Sequence, residues 1–177
     1  MLRSFDLKMI PQSLKDVLRN AAENHTSRRI ISYQPNNVRC GRRLSYAELF
    51  AQAEMNSQAL TNLKVYKARC LVVIHLDDHP DGIVWFWATI LAGAIPVLST
   101  PFSNVPDQRK KHVWSLTELL NDPIWLTQSS LLPLFGDNDG LSIHTTESLS
   151  SMTNATSSAS ANAFNSFHTL QTTTSQC

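Results

Sequence analysis

The sequence predicts an α/β fold: a partial doubly wound parallel sheet followed by a disordered C-terminal tail. Three observations predict it. Residues 70–76, Cys-Leu-Val-Val-Ile-His-Leu, form an apolar and largely β-branched run bounded by Asp77 and Asp78. That is the pattern of a strand buried on both faces, as in a covered parallel sheet. Next come a long apolar stretch, 83–92, and a short one, Ile95 to Leu98, separated by Gly93. Strand, helix and strand within about 30 residues make a βαβ unit with a right-handed crossover. The alternation then continues, so 70–127 reads β-α-β-α-β, half of a doubly wound sheet.

Each element has its own local reason. Residues 13–23 read as a helix with Ser13 as N-cap and Leu14, Val17, Leu18 and Ala21 on one face. Arg29 to Tyr33 reads as a short strand, Pro35-Asn36-Asn37 as turn chemistry, and Arg39 to Arg43 as a polar connection. Ser45 and Glu48 have capping-box spacing and open a helix. Its apolar positions are Tyr46, Leu49, Phe50, Ala53 and Leu60, and it ends near Thr61 or Asn62.

In the central unit Pro80 fits the first turn of a helix, Asp81 adds a favourable charge there, and Gly93 suits its C-terminal stop. This helix is apolar nearly all round, so burial on more than one side is expected. A polar loop, 102–106, leads to a helix over 107–121 with Val113, Leu116 and Leu120 inward. Pro123 to Thr127 reads as a third core strand, and 129–135 as one or two helical turns interrupted by Pro133. From Ser148 to Cys177 there is no Asp, Glu, Lys or Arg, and Ser, Thr, Asn and Ala dominate. Such a segment cannot offset its ordering entropy by burial. The domain expected is therefore 10–147, with a disordered tail over 148–177.

Composition narrows the function classes. The chain has 177 residues, 42% of them hydrophobic, which is room for one core and a tail. A net charge of +1 gives no basis for binding nucleic acid, and Arg109-Lys110-Lys111-His112 is too short to change that. Cys40, Cys70 and Cys177 match no zinc or redox spacing and fit a reducing compartment. The N-terminus lacks a continuous apolar signal-peptide core, so a cytoplasmic location is expected. A membrane-associated protein using 82–98 is a rival reading. That run falls short of the ~20 residues a bilayer needs, and Gly93 and Pro96 interrupt it.

Two patches carry a resemblance. Leu44-Ser45-Tyr46-Ala47-Glu48-Leu49 resembles the first core motif of the adenylate-forming (AMP-binding) superfamily, and Ile90 to Leu98, with Ala92-Gly93 and Pro96, resembles the second. They stand in family order and at family spacing. Leu98-Ser99-Thr100-Pro101 and Asp122 to Thr127 resemble fungal members of the nonribosomal peptide synthetase type. The resemblance covers roughly 10–147 and implies an N-terminal part of an adenylation domain. Its members activate a carboxylic acid with ATP and magnesium, then pass the acyl group to coenzyme A or a carrier-protein thiol. It implies as partners the remainder of a synthetase or a carrier protein, with no nucleic acid and no membrane.

The family's chemistry needs parts absent from this sequence. A phosphate loop requires clustered glycines and a lysine. Only Gly136 and Gly140 of the five glycines lie close together, and the segment between them is Asp137-Asn138-Asp139. It reads as an acidic turn that repels phosphate. No catalytic, nucleotide-binding or metal residue is carried over, no cofactor is expected for this stretch, and the chain as it stands is expected to be inactive. The codons permitted for Leu170 to Cys177, read from the third base of the Leu170 codon, can encode Pro-Asp-Asp-Asp-Leu-Ala, close to the family's lead-in to that loop. A frameshift or missed splice near His168 is therefore expected, and the coding DNA tests it.

One further constellation has metal-ligand residue types. His75, Asp77, Asp78, His79 and Asp81 cluster where a strand ends, the usual place for α/β ligand sites. The plainer reading is a polar turn capping strand and helix. His112, His144 and His168 are isolated, and no local nucleophile motif is present. A small flavodoxin-like binding module is the other architecture this pattern allows, with 77–81 or 99–106 as its gripping loop.

Overall fold

The computed structural model describes residues 12–25, 27–34, 37–136 and 140–152. Two sheets are present among them. The larger is parallel, with β3 (Leu71–His75) flanked by β4 (Ile95–Leu98) and β5 (Ile124–Thr127), and β6 (Ser142–Thr145) beyond β5. The smaller is an antiparallel hairpin of β1 (Arg29–Gln34) and β2 (Asn37–Ser45). The expected β-α-β-α-β order is therefore present, extended by β6. The expected polar connection at Arg39 to Arg43 is instead part of β2. Arg42 and Arg43 keep their side chains exposed while their backbone pairs with β1. Arg42 and Arg43 pair with Ser32 and Ile31 across the hairpin.

Helices cover both faces of the parallel sheet. α1 (Leu14–Asn24), α2 (Tyr46–Thr61) and α3 (His79–Ala92) lie on one side and α4 (Pro106–Leu119) on the other. Ser13 caps α1 as expected, its hydroxyl accepting from the Asp16 N–H. The inward face of α1 is Leu18 and Ala22, whereas Leu14 and Val17 are exposed. Those two lie on a flank that none of the described residues covers. Ser45 and Glu48 close a complete capping box on α2. Hydrogen bonds from the Ser45 backbone and hydroxyl hold the Glu48 carboxyl below its ordinary range.

The strands divide their side chains between two cores. Val72, Ile74, Ile124 and Leu126 join Leu49, Ala53, Leu60, Val84, Trp85 and Ala88 on the α2–α3 side. Val73 and Trp125 join Val113 and Phe135 on the α4 side. On α4, Val113 and Thr117 are buried while Leu116 and Leu120 are half-buried. Thr117 was invisible as a core residue because its hydroxyl is satisfied locally, donating to the Val113 carbonyl at 2.9 Å. Pro133 sits inside a 3-10 turn, Leu132–Phe135. Among the described residues a further helix, α5, spans 146–152 and buries Leu149. The rest of the expected tail, and Asp137 to Asp139, lie outside the described residues.

The C-terminus of α3 is tied by three separate donors. Tyr66 Oη donates to the Ala92 carbonyl at 2.6 Å, Lys15 Nζ to Leu91 at 2.9 Å, and the Arg69 N–H to Gly93 at 3.0 Å. Carbonyls in the last turn of a helix have no partner within it, and a cation there opposes the macrodipole. Gly93 turns the chain at φ 87°. A Cβ at this position would meet only ordinary contacts, Lys15 Nζ at 3.8 Å and Tyr66 Oη at 4.0 Å. The cost of Gly93→Ala is therefore backbone strain, about 1–2 kcal/mol. Gly82, inside the same helix with nothing within 4 Å of a built Cβ, should respond with the opposite sign. Gly82→Ala is expected to stabilise by about 0.5–1 kcal/mol. Urea midpoints followed by circular dichroism check both.

Candidate functional site

In an open parallel sheet, ligands bind outside the carboxyl ends of the strands where successive connections leave for opposite faces. Here that point lies between β3 and β5. The chain leaves β3 toward α3 on one face and leaves β5 toward the 3-10 turn on the other. The gap is bridged by Gln128, whose Oε1 accepts from the Asp77 backbone N–H at 3.2 Å.

The α2–α3 side of this crevice is acidic. Asp77, Asp78 and Asp81 follow β3, and Glu147 stands in the first turn of α5. Arg42, reaching over from the hairpin, lies 2.9 Å from Asp81 and 3.8 Å from Asp78. Burial and the neighbouring Asp81 carboxylate push the Asp78 carboxyl up, against the pull of Arg42 and His79. Burial alone would also raise Glu147. It accepts from the Ser129 N–H at 3.1 Å, the Ser129 hydroxyl at 2.9 Å and Thr146 at 3.1 Å, and such bonds hold it below the carboxylate range. A cleft of about 390 Å³ opens here, lined by Gln52, Asn56, Asp81, Trp85, Gln128 and Glu147. A triphosphate needs N–H groups and cations. The cleft offers carboxylates, and the guanidinium beside it is already paired.

The α4 side of the crevice is aromatic. His75 is buried, stacked on Phe102 with ring centroids 3.6 Å apart, and meets the edge of Phe135 at 5.9 Å. Burial drives its pKa down and nearby His112 adds to this, with Asp77 opposing. Its Nδ1 lies 3.2 Å from Ser99 Oγ, which donates to the Thr100 carbonyl. With its ring under Phe102 and the serine proton committed elsewhere, the pair is not arranged as a nucleophile and base. Thr127 Oγ1 and His112 Nε2 are buried without a hydrogen-bond partner among the described residues.

The expected cluster at 75–81 is thus split. His75 joins the aromatic side, and Asp78 and Asp81 pair with Arg42. Among the described residues no group of three His, Cys, Asp or Glu side chains could hold a metal ion. Asp78 is the N-cap of α3 without a side-chain cap hydrogen bond, and Pro80 lies in its first turn. Sequence reasoning missed Arg42, Gln128 and Glu147, whose partners lie far away along the chain and carry no local signal. No described helix is long and apolar enough to cross a membrane.

No family model matches the chain. Individual proteins do. It is 42% identical to the nonribosomal peptide synthetase acyN of Ascocoryne sarcoides over 142 residues, 80% of this chain and 15% of that protein. It is 38% identical to the nonribosomal peptide synthetase btyA of Aspergillus terreus over 137 residues, 77% of this chain and again 15% of the relative. Among solved structures it resembles the adenylation domain of a keto acid-selecting synthetase module bound to keto acyl adenylate. The TM-score is 0.67 at 27% identity, covering 81% of this chain and 27% of that one. The chain therefore spans a small part of the proteins it matches. Over that matched stretch it belongs to the adenylate-forming superfamily, as the N-terminal part of an adenylation domain of the fungal synthetase kind.

Proposed function

We propose that this 177-residue polypeptide provides the scaffold of an acid-activating unit from secondary metabolism and forms no adenylate by itself. The observation that carries this is the crevice between β3 and β5. The cleft there carries the carboxylates of Asp81 and Glu147, and Arg42 is engaged with Asp81. Nucleotide binding needs a loop of glycines and a lysine, and no such loop occurs in the sequence. The family resemblance implies that ATP and magnesium binding, and activation of the acid, belong to other parts of a complete adenylation domain. No cofactor is assigned to this polypeptide, and no residue in it is assigned a catalytic or metal-binding role. Its partners are the remainder of a synthetase or a carrier protein, and its place is the cytoplasm.

The test is ATP–pyrophosphate exchange with the purified 177-residue chain over a broad panel of carboxylic acids. Exchange indistinguishable from the enzyme-free blank is expected. Robust acid-dependent exchange would overturn the proposal.

The strand order β4-β3-β5-β6 is also the opening order of flavodoxin-like sheets. A small binding module is therefore the second reading. Its ligand would sit at 77–81 or 99–106, and saturable binding of a nucleotide or small acid without turnover would favour it.

A further inference from the structure

We propose that the segment 99–102 is an acid-released strap over the α4 side of the crevice. A proton taken up by His75 lifts it while the sheet and helices stay folded. The device is independent of the scaffold reading above.

The strap is held down by rings. Phe102 stacks on His75 at 3.6 Å, meets Phe135 edge-on at 5.1 Å and His112 at 6.0 Å, and is tilted to Trp125 at 6.4 Å. At the base of the strap, the Ser99 N–H donates to the Ile74 carbonyl at 3.0 Å, and Ser99 Oγ lies 3.2 Å from His75 Nδ1. The residues after Phe102 are fastened to α4 instead. The Ser103 hydroxyl donates to Gln108 Oε1 at 2.9 Å, and the Ser103 carbonyl accepts from Arg109 at 3.1 Å. His75 therefore touches both ends of the strap, Ser99 at its base and Phe102 at its tip. A segment with so few attachments opens at a lower free energy than the whole domain unfolds.

The same imidazole is where a proton enters. Ser99 gives its own proton to the Thr100 carbonyl at 3.0 Å, so its oxygen accepts from Nδ1–H of the neutral ring. A second proton goes to Nε2 and creates a cation on a residue only 4% exposed. The face of Phe102 attracts a cation, but one ring does not replace the water it has lost. Burial is the largest influence and disfavours the imidazolium. Asp77, two residues along, favours the charge, and His112 of α4 opposes it. Thr127 of β5 and Phe135 of the 3-10 turn bring no charge. Lifting the strap returns water to the ring, so proton uptake and opening favour each other.

The floor beneath also favours opening. Thr127 Oγ1 and His112 Nε2 are buried without a hydrogen-bond partner among the described residues. Thr127 stands beside His75 in the sheet register, and His112 faces Phe102. Water that reaches them supplies the bonds the closed strap withholds, which keeps the closed state only narrowly preferred.

Hydrogen exchange of the Ser99 amide tests the strap. It is followed by nuclear magnetic resonance in the 177-residue chain and corrected at each pH for the chemical exchange rate. The slowest amide of β5 reports global unfolding. At pH 7 the Ser99 amide is expected to be protected, but about tenfold less than that reference or lower still. From pH 7 to pH 5 its protection is expected to fall about threefold or more. His75→Phe keeps a ring under Phe102 and is expected to abolish the fall. Phe102→Leu removes the stack and leaves the imidazole. It is expected to lower Ser99 protection at pH 7 and to shrink the fall, which keeps the test decisive if His75→Phe does not fold. Ser99 protection equal to that of β5, protection unchanged between the two pH values, or a full fall that persists in either variant would each overturn the strap.

Discussion

Trp125→Ala is expected to cost about 3–5 kcal/mol, the range for truncating a large buried aromatic. Trp125 is fully buried in the middle of β5 and stands beside Val73 of β3. Its ring meets Phe135 edge-on at 5.4 Å and lies 6.4 Å from Phe102. Its Nε1–H donates to Thr117 Oγ1 at 3.1 Å. The side chain thus joins β5, α4, the 3-10 turn and the loop after β4. A domain's whole stability is about 5–15 kcal/mol, so alanine here should leave a large fraction unfolded. Trp125→Phe keeps a ring and loses the N–H. Thr117 retains its bond to Val113, so the loss should be smaller, about 1–2 kcal/mol. Urea unfolding followed by far-ultraviolet circular dichroism separates the two. A loss below about 1 kcal/mol for the alanine variant would mean that α4 does not close over β5 as described.

The central unit was legible because its signals are local and agree with one another. The apolar run at 70–76, Pro80 at a helix start, Gly93 at its end and Pro96 in a short strand each restrict the backbone on their own. The observed strand, helix and strand follow them closely. The capping box of Ser45 and Glu48 was legible for the same reason.

Elements stabilised by distant partners were not legible. β2, with three arginines among its nine residues, is held by pairing with β1, and β6 is four residues whose partner is β5. α5 starts where Glu147 meets Ser129, a contact that no short window contains. The crevice followed the same rule. Its position could be inferred from strand order, but its charge balance depends on Glu147 and Arg42, which arrive from opposite ends of the domain. Which way His75 points, toward the aspartates or away, is decided by strand alternation and by Phe102, not by the five-residue cluster that suggested a metal.

Stability should fall as the solution is made acidic, and His75 is expected to be a principal cause. Its pKa in the folded protein lies below the ordinary 6.5, because burial, helped by His112, disfavours the imidazolium. The unfolded chain therefore binds more protons than the folded one wherever the pH lies between the two values. Stability rises with pH under that condition. The contribution is fully present above about 6.5. It declines as pH falls below that value, and the decline levels off beneath the folded pKa. His144 is shifted down by burial too, so it works in the same window. Glu48 and Glu147, both lowered, act at more acidic pH, below the ordinary carboxylate value of 4.5. His75→Phe separates these contributions. It keeps a ring against Phe102 and leaves the Ser99 hydroxyl its bond to Thr100. Urea midpoints of this variant between pH 7 and 5 should fall less steeply than those of the parent chain, and His144→Asn should remove a further part of the slope. An unchanged slope in His75→Phe would place the imidazole in water rather than beneath Phe102, and the aromatic side of the crevice would have to be redrawn as open.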